Sequence, residues 1–217
     1  MPTDVVDSRR SEILAALDNA RDAFQELLMS LAKEDLGSRS SRSDWTVLEA
    51  AVHVVMSIER TPALIGALRR GKDYLNVPMP VAEPAKRLIT WSSARFATCE
   101  ALARRFDAAH AAVVVVLATI RDDEWAKGGR AYGEGTWSVE HALRHQADHV
   151  HEHIIQIRRA QELSSSSGHH RVKFRVPQAA GRPRNPGGLT WIAKDLGRPF
   201  VHLEDKDAVR ALLDVRE

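Results

Sequence analysis

Five of the ten histidines in this chain fall in one short stretch, 141-HALRHQADHVHEH-153. Among them His145, His149 and His153 are four residues apart. On a helix that spacing stacks the imidazoles along one face, each turned by about 40° from the last. Neutral imidazole is a preferred protein ligand for zinc, nickel and iron, and an i, i+4 pair can grip one ion from a single helix. Three such ligands would leave a divalent ion its full charge and an open position. It could then polarise a carbonyl, bring the pKa of bound water to about 7, or hold a thiolate for attack. No Ser-His-Asp pattern, phosphate-binding glycine loop or HExxH motif offers competing chemistry.

A second helix must supply the remaining ligand. His53 is the only histidine in the first hundred residues and interrupts an apolar stretch, 50-AAVHVVMSI-58. A buried imidazole there needs a polar partner or a metal. Spacing alone leaves two pairs open as its companions, His145 with His149 or His149 with His153. On a helical wheel Ala142, Leu143, Val150, Ile154 and Ile157 lie about 20–140° from His149, which puts the ladder at the edge of the core stripe. His151 then points outward, His141 is structural, and the His169-His170 pair follows a serine run that does not suggest a site. Glu49 precedes His53 by one turn. It forms a capping-box spacing with Thr46 and is also a candidate partner for a ligand imidazole. Arg130 and Tyr132, in the glycine-rich loop 128-GGRAYGEG-135, are candidates for a pocket mouth. Trp45 and Trp137 are expected as packing anchors at helix starts.

The elements that position these residues read as four helices over residues 8–161. The first spans about Ser8–Lys33, the second about Asp44–Arg70 with Gly71 as its stop, the third about Ile89–Arg121, and the fourth about Thr136–Gln161. Residues 72–88, with three prolines, read as a long connection. No strand-like alternation is visible. The expected fold is all-α, an antiparallel four-helix bundle over 1–162 with one long crossover. A Ser-rich linker, 163–170, leads to a small basic α+β appendage, 171–217. That appendage has strand-like segments at 173–176, 189–193 and 199–203 and a helix at 205–215.

Bulk composition narrows the setting. Hydrophobic residues make up 44% and charged residues 28%, enough for a sizeable core. The net charge of +2 implies neither a nucleic-acid nor a membrane partner. Residues 169–198 carry seven Lys/Arg against one acidic residue. They lack a nucleic-acid motif and the aromatics that stack on bases, so nucleic acid is not the expected partner. Cys99, the single cysteine, reads as a small core residue and excludes an internal disulfide, which fits a reducing compartment. The N-terminus shows no basic segment followed by an apolar one. The apolar run 111-AAVVVVLATI-120 is too short for a bilayer and reads as a helix turn packed on all sides. A cytoplasmic protein, forming a homodimer and acting on a small molecule, is expected.

Two motifs carry a resemblance. Trp45-Thr46-Val47-Leu48-Glu49 followed by His53 resembles the second-helix motif of the DinB/YfiT-like superfamily, W-[ST]-x-x-[ED]-x-x-x-H. Leu143, His145, His149, Glu152, His153, Gln156 and Ile157 resemble its last-helix motif, L-x-H-x-x-x-H-x-x-H-H-x-x-Q-I. The likeness covers roughly residues 8–161. The stretch 57-SIERTPALIGALRRGKDY-74 is similar to actinobacterial members, including relatives of mycothiol-dependent maleylpyruvate isomerase.

The resemblance implies His53, His149 and His153 as ligands of one divalent ion, zinc or nickel, with His145 beside the site as a catalytic candidate together with Glu49. The family's adjacent histidine is Glu152 here, and its usual glycine is Ile155. It also implies a metal-dependent enzyme, either a transferase or isomerase using a low-molecular-weight thiol (mycothiol or bacillithiol) or a hydrolase. A non-catalytic bundle that sequesters a small molecule is the third option. The isomerase relatives place an acid where His149 stands, which argues against maleylpyruvate isomerisation itself.

Overall fold

The computed structural model describes residues 3–39, 45–133 and 135–168. The chain divides into units Met1–Val172 and Lys173–Glu217. Every element below belongs to the first. The strands and helix expected in 171–217, and His169-His170, lie outside the described residues.

Five helices and one hairpin follow in order: α1 Thr3–Ser30, α2 Val47–Arg69, α3 Met79–Ala94, α4 Cys99–Ala118, β1 Gly128–Arg130, β2 Thr136–Ser138 and α5 Val139–Gly168. The fold is all-α, with α1, α2, α4 and α5 forming a four-helix bundle. α1 buries Ile13, Leu17, Ala20, Phe24, Leu27 and Leu28 at three- and four-residue steps, as its periodicity requires. α2 packs against α3, α4, α5 and β1 and is buried on most sides. By length and composition alone α2 could cross a membrane, yet 61% of its most apolar window is buried, as befits the central helix of a bundle.

Cross-helix bonds fix the directions. Arg10 donates to the Ile120 carbonyl just beyond α4, and Arg21 bonds Asp107, so α1 and α4 are antiparallel. Glu12 pairs with Arg144 and Glu26 with Arg158, so α1 and α5 are parallel. Glu59 pairs with Arg105 and Arg69 bonds Thr119, so α2 and α4 are parallel. α2 and α5 run antiparallel, with Thr61 on Gln146 and His53 beside His153. The helices pack in the cyclic order α1–α4–α2–α5, so the pairs α1/α2 and α4/α5 lie on diagonals, while α2 and α4, joined through α3, are neighbours.

Three expectations about elements need correction. The third helix is two: α3 ends at Ala94, and Thr98 restarts the chain as N-cap of α4, its Oγ1 accepting from the Ala101 N–H at 3.2 Å. The proline-rich connection is itself helical from Met79. Pro78 is its N-cap and Pro80 sits in the first turn, where a missing N–H breaks no helical bond. The loop before α5 forms a short antiparallel ladder pairing Gly128 with Ser138 and Arg130 with Thr136, too short for alternation to show in sequence. Its glycines are required by close approach, since a Cβ on Gly128 would strike the Trp137 carbonyl and one on Gly129 the Lys72 carbonyl.

Three smaller differences follow. The valine run is not enclosed, since Val115 is 65% exposed while Val113 and Leu117 face the core. Cys99 is half-buried at the first turn of α4. α5 continues to Gly168, past the expected end at Gln161.

The limits of α2 are set locally. Glu49 Oε2 accepts from the Thr46 N–H at 2.7 Å, and Thr46 Oγ1 accepts from the Glu49 N–H at 3.2 Å, a complete capping box. At the other end Gly71, with φ +66°, and Lys72 donate to the Leu68 and Ala67 carbonyls in a Schellman motif. Replacing Thr46 by Ala is expected to cost about 1 kcal/mol, read as a lower urea midpoint. An unchanged midpoint would show that those first-turn N–H groups are satisfied without the box.

Candidate metal centre

α2 and α5 bring His53, His149 and His153 together. One ring nitrogen from each lies within 4.8 Å of the others, a grouping that could hold a single metal ion. Ring centroids are 5.3 Å apart for His53–His149, 5.1 Å for His53–His153 and 4.6 Å for His149–His153. His145 is outside the cluster, stacked on His149 at 5.7 Å. His151 also stays out of the cluster, and His141 packs edge-on against Trp137 at 4.9 Å.

The donor set fits a divalent cation. Burial, with repulsion from the neighbouring imidazoles and then from Lys86 and Arg60, pushes His53 down to about 2. Burial and its histidine neighbours push His149 to about 3. Burial also lowers His153. All three are neutral near pH 7, the form that ligates. His153 Nδ1 lies 2.8 Å from Gln156 Oε1, and the tautomer that donates from Nδ1 to that oxygen keeps the Nε2 lone pair for a metal. Trp45 covers the cluster from the start of α2, 4.7 Å from the His53 ring and 6.3 Å from that of His153.

A cavity of about 450 Å³ adjoins the cluster, with His53, His149 and His145 in its wall. α2 adds Ser57, Arg60 and Leu64, α5 adds Gln146, and α3 adds Val81, Lys86 and Ile89. Tyr74 and Leu75 come from the segment after α2, and Tyr132 and Trp137 from the hairpin. Leu75 and Tyr132 hold φ of +44° and +55°, a left-handed backbone that non-glycine residues adopt at some cost. The Tyr74 N–H donates to the Arg130 carbonyl and the Tyr132 N–H to the Tyr74 carbonyl, tying these two wall segments together.

The candidate residues from the sequence therefore separate. Tyr132 lines the cavity, whereas Arg130 is exposed and contributes its backbone to the hairpin. Glu49 closes the helix cap and makes no described bond to a ligand imidazole. Trp137 lies in β2 and is part of the cavity wall rather than only an anchor at a helix start. Reasoning from the sequence missed Ser57, Arg60, Lys86, Tyr74 and Gln146. Ser57, Arg60 and Leu64 follow His53 at i+4, i+7 and i+11, a one-face pattern that could have marked them.

Fold and site together define a helical bundle with a histidine cluster bridging two antiparallel helices at the end of a ligand-sized cavity. The chain belongs to the DinB superfamily, whose profile matches residues 16–157. Among solved structures it is similar to YfiT from Bacillus subtilis, described as a probable metal-dependent hydrolase with an unusual four-helix bundle topology. The TM-score is 0.61 at 14% identity, covering 72% of this chain and 87% of that one. It is also similar to a mycothiol-dependent maleylpyruvate isomerase, with a TM-score of 0.56 at 16% identity, covering 68% of this chain and 60% of that protein. At these identities the likeness is one of fold. No curated protein sequence matches the chain.

The buried imidazoles make metal-free stability depend on pH. Unfolded, each takes up a proton below about pH 6.5, whereas the folded His53 and His149 do so only near 2 and 3. Between those limits the unfolded chain binds more protons. Stability therefore falls as the pH drops below about 6.5, by up to about 1.4 kcal/mol per pH unit for each group. Urea midpoints of the metal-free chain should be lower at pH 5 than at pH 7, with a smaller difference in His53→Asn. Equal midpoints in the parent chain would show that the cluster is not buried in its neutral form.

Proposed function

We propose that this chain is a divalent-metal enzyme acting on a small molecule, with zinc or nickel held by His53, His149 and His153, and with transfer involving a low-molecular-weight thiol as its reaction class. The observation that carries this reading is the convergence of three neutral imidazoles beside a cavity of ligand size, with two of them, His53 and His149, in its wall. An ion so held supplies Lewis-acid activation of a carbonyl, a thiol or water.

The protein's own groups do the rest. Trp45 and the apolar neighbours of the cluster limit water around the imidazoles. His145 is half-buried in the cavity wall beside His149, where it can accept or return a proton. Glu83, the carboxylate in that wall, is engaged by Lys86 at 2.6 Å and is poorly placed for the same task. A second reading, metal-dependent hydrolysis, draws on that same histidine, which could serve water as well as a thiol. YfiT, similar in fold, is described in those terms.

Native mass spectrometry with elemental analysis should find one divalent ion per chain. His53→Ala and His149→Ala should each lower metal affinity by about 100-fold or more, given that loss of mere supporting contacts costs 10–100-fold. Metal retained in both variants would overturn the assignment. Conjugation of 1-chloro-2,4-dinitrobenzene to mycothiol or bacillithiol, with and without metal, then separates the reactions. Turnover requiring both thiol and metal supports transfer. Metal-dependent ester cleavage without thiol replaces it with hydrolysis, and stoichiometric binding without turnover replaces it with sequestration.

A further inference from the structure

The cavity wall holds two groups that neither the metal cluster nor the packing uses. Gln146 is 5% exposed, and its Oε1 accepts from Ser57 Oγ at 3.1 Å and lies 3.1 Å from Thr61 Oγ1, whose single proton is shared with the Ser57 carbonyl. These contacts hold the amide and leave its Nε2 buried with no acceptor among the described residues. An unmet buried donor is destabilising, and a ligand oxygen in the cavity would satisfy it.

Arg60 is the second group. It is half-buried, lines the same cavity, and has no hydrogen-bond or ion-pair partner among the described residues. Lys86 differs, because Glu83 neutralises it and it rests over the Trp45 ring at 5.8 Å. One guanidinium is therefore left uncompensated in an otherwise mostly apolar space. Its planar fork matches a carboxylate bidentately. A phosphate dianion would call for further cations or a nest of backbone N–H groups.

Position along α2 orders these groups. His53, Ser57, Arg60 and Leu64 share one stripe, with Arg60 two turns beyond His53, about 10 Å along the axis. Gln146 is anchored between them by Ser57 and Thr61. We propose that the cavity binds a small carboxylate-bearing molecule lengthwise. Its carboxylate pairs with Arg60, an acceptor oxygen near its middle receives the Gln146 amide, and its reacting end lies at the three-histidine cluster. Only the last of these contacts rests on the metal-enzyme reading.

Calorimetry on the full-length chain tests this. With metal loaded, the probes are the monohydroxamates of succinic, glutaric and adipic acids, each beside the analogue whose carboxylate is a primary amide. At the best chain length the carboxylate should bind about tenfold tighter than the amide. Arg60→Gln should erase that preference while metal content and amide affinity stay unchanged. Gln146→Met should weaken both members equally. Equal affinities at all three lengths, or a preference that survives Arg60→Gln, overturn the carboxylate contact. Unchanged affinities in Gln146→Met overturn the amide contact.

A metal-free arm compares hexanoate with hexanamide. Preference for hexanoate, lost in Arg60→Gln, in a chain that takes up no ion would sustain this inference while the metal reading fails. A bound ion with no preference in either arm would do the reverse.

Discussion

α2 and α5 meet along a polar seam inside an apolar interface, and the cost of burying that seam fixes how the bundle assembles. His53, Ser57 and Thr61 on α2 face His149, His153 and Gln146 on α5. Each is a group that must find a partner once water is excluded. Apolar side chains alone tolerate sliding by a turn, because a valine packs about as well against one leucine as the next. These polar groups do not. A one-turn slip would carry the two hydroxyls away from the Gln146 carbonyl and His53 away from one of its histidine neighbours. The seam therefore sets the register of the two helices that bear the site.

Topology supplies the remaining wall. α2 and α4 are parallel neighbours, so the chain must return along the bundle between them. That return is the segment 72–98, and α3 is its helical part, about 24 Å long at 16 residues. α3 packs on α2 rather than joining the four-helix core, and its residues Val81, Lys86 and Ile89 line one side of the cavity. A bundle with only short connections would leave this face of α2 and α5 open to water. The crossover is thus as much part of the site as the histidines, although it carries no candidate metal ligand.

What the sequence disclosed and what it hid follow from the range of each interaction. α1 and α5 show a helical stripe because each buries one face, α2 shows a nearly continuous apolar run because it is buried on most sides, and its caps are local enough to read directly from Thr46, Glu49 and Gly71. The break at 95–98 is hidden because alanine-rich sequence runs on both sides of it and the interruption is one threonine hydroxyl. The hairpin is hidden because three residues cannot show a period.

Among the histidines, spacing left two pairs open. The described geometry explains why one is preferred: with α2 and α5 antiparallel, His145 lies beside His149 on the side away from His153, further along the cavity wall. The placement of Arg60 on the His53 face was open to reading at i+7, but its lack of an ion-pair partner was not, nor was the role of Gln146, since an absent partner leaves no trace in local pattern.

The cluster also carries an electrostatic tension that bears on how it would work. Lys86 and Arg60 both disfavour positive charge on His53, and the same field opposes a divalent ion beside it. Glu83 offsets Lys86, while nothing described offsets Arg60. On the proposed reading, a carboxylate against Arg60 would cancel that repulsion as well as make its own contact. Ion and ligand would then raise one another's affinity by the same factor, as linkage demands of any two equilibria that share a coupling energy. The unpaired guanidinium would act as more than a passive handle for substrate. It would make the metal centre most stable when the cavity is filled.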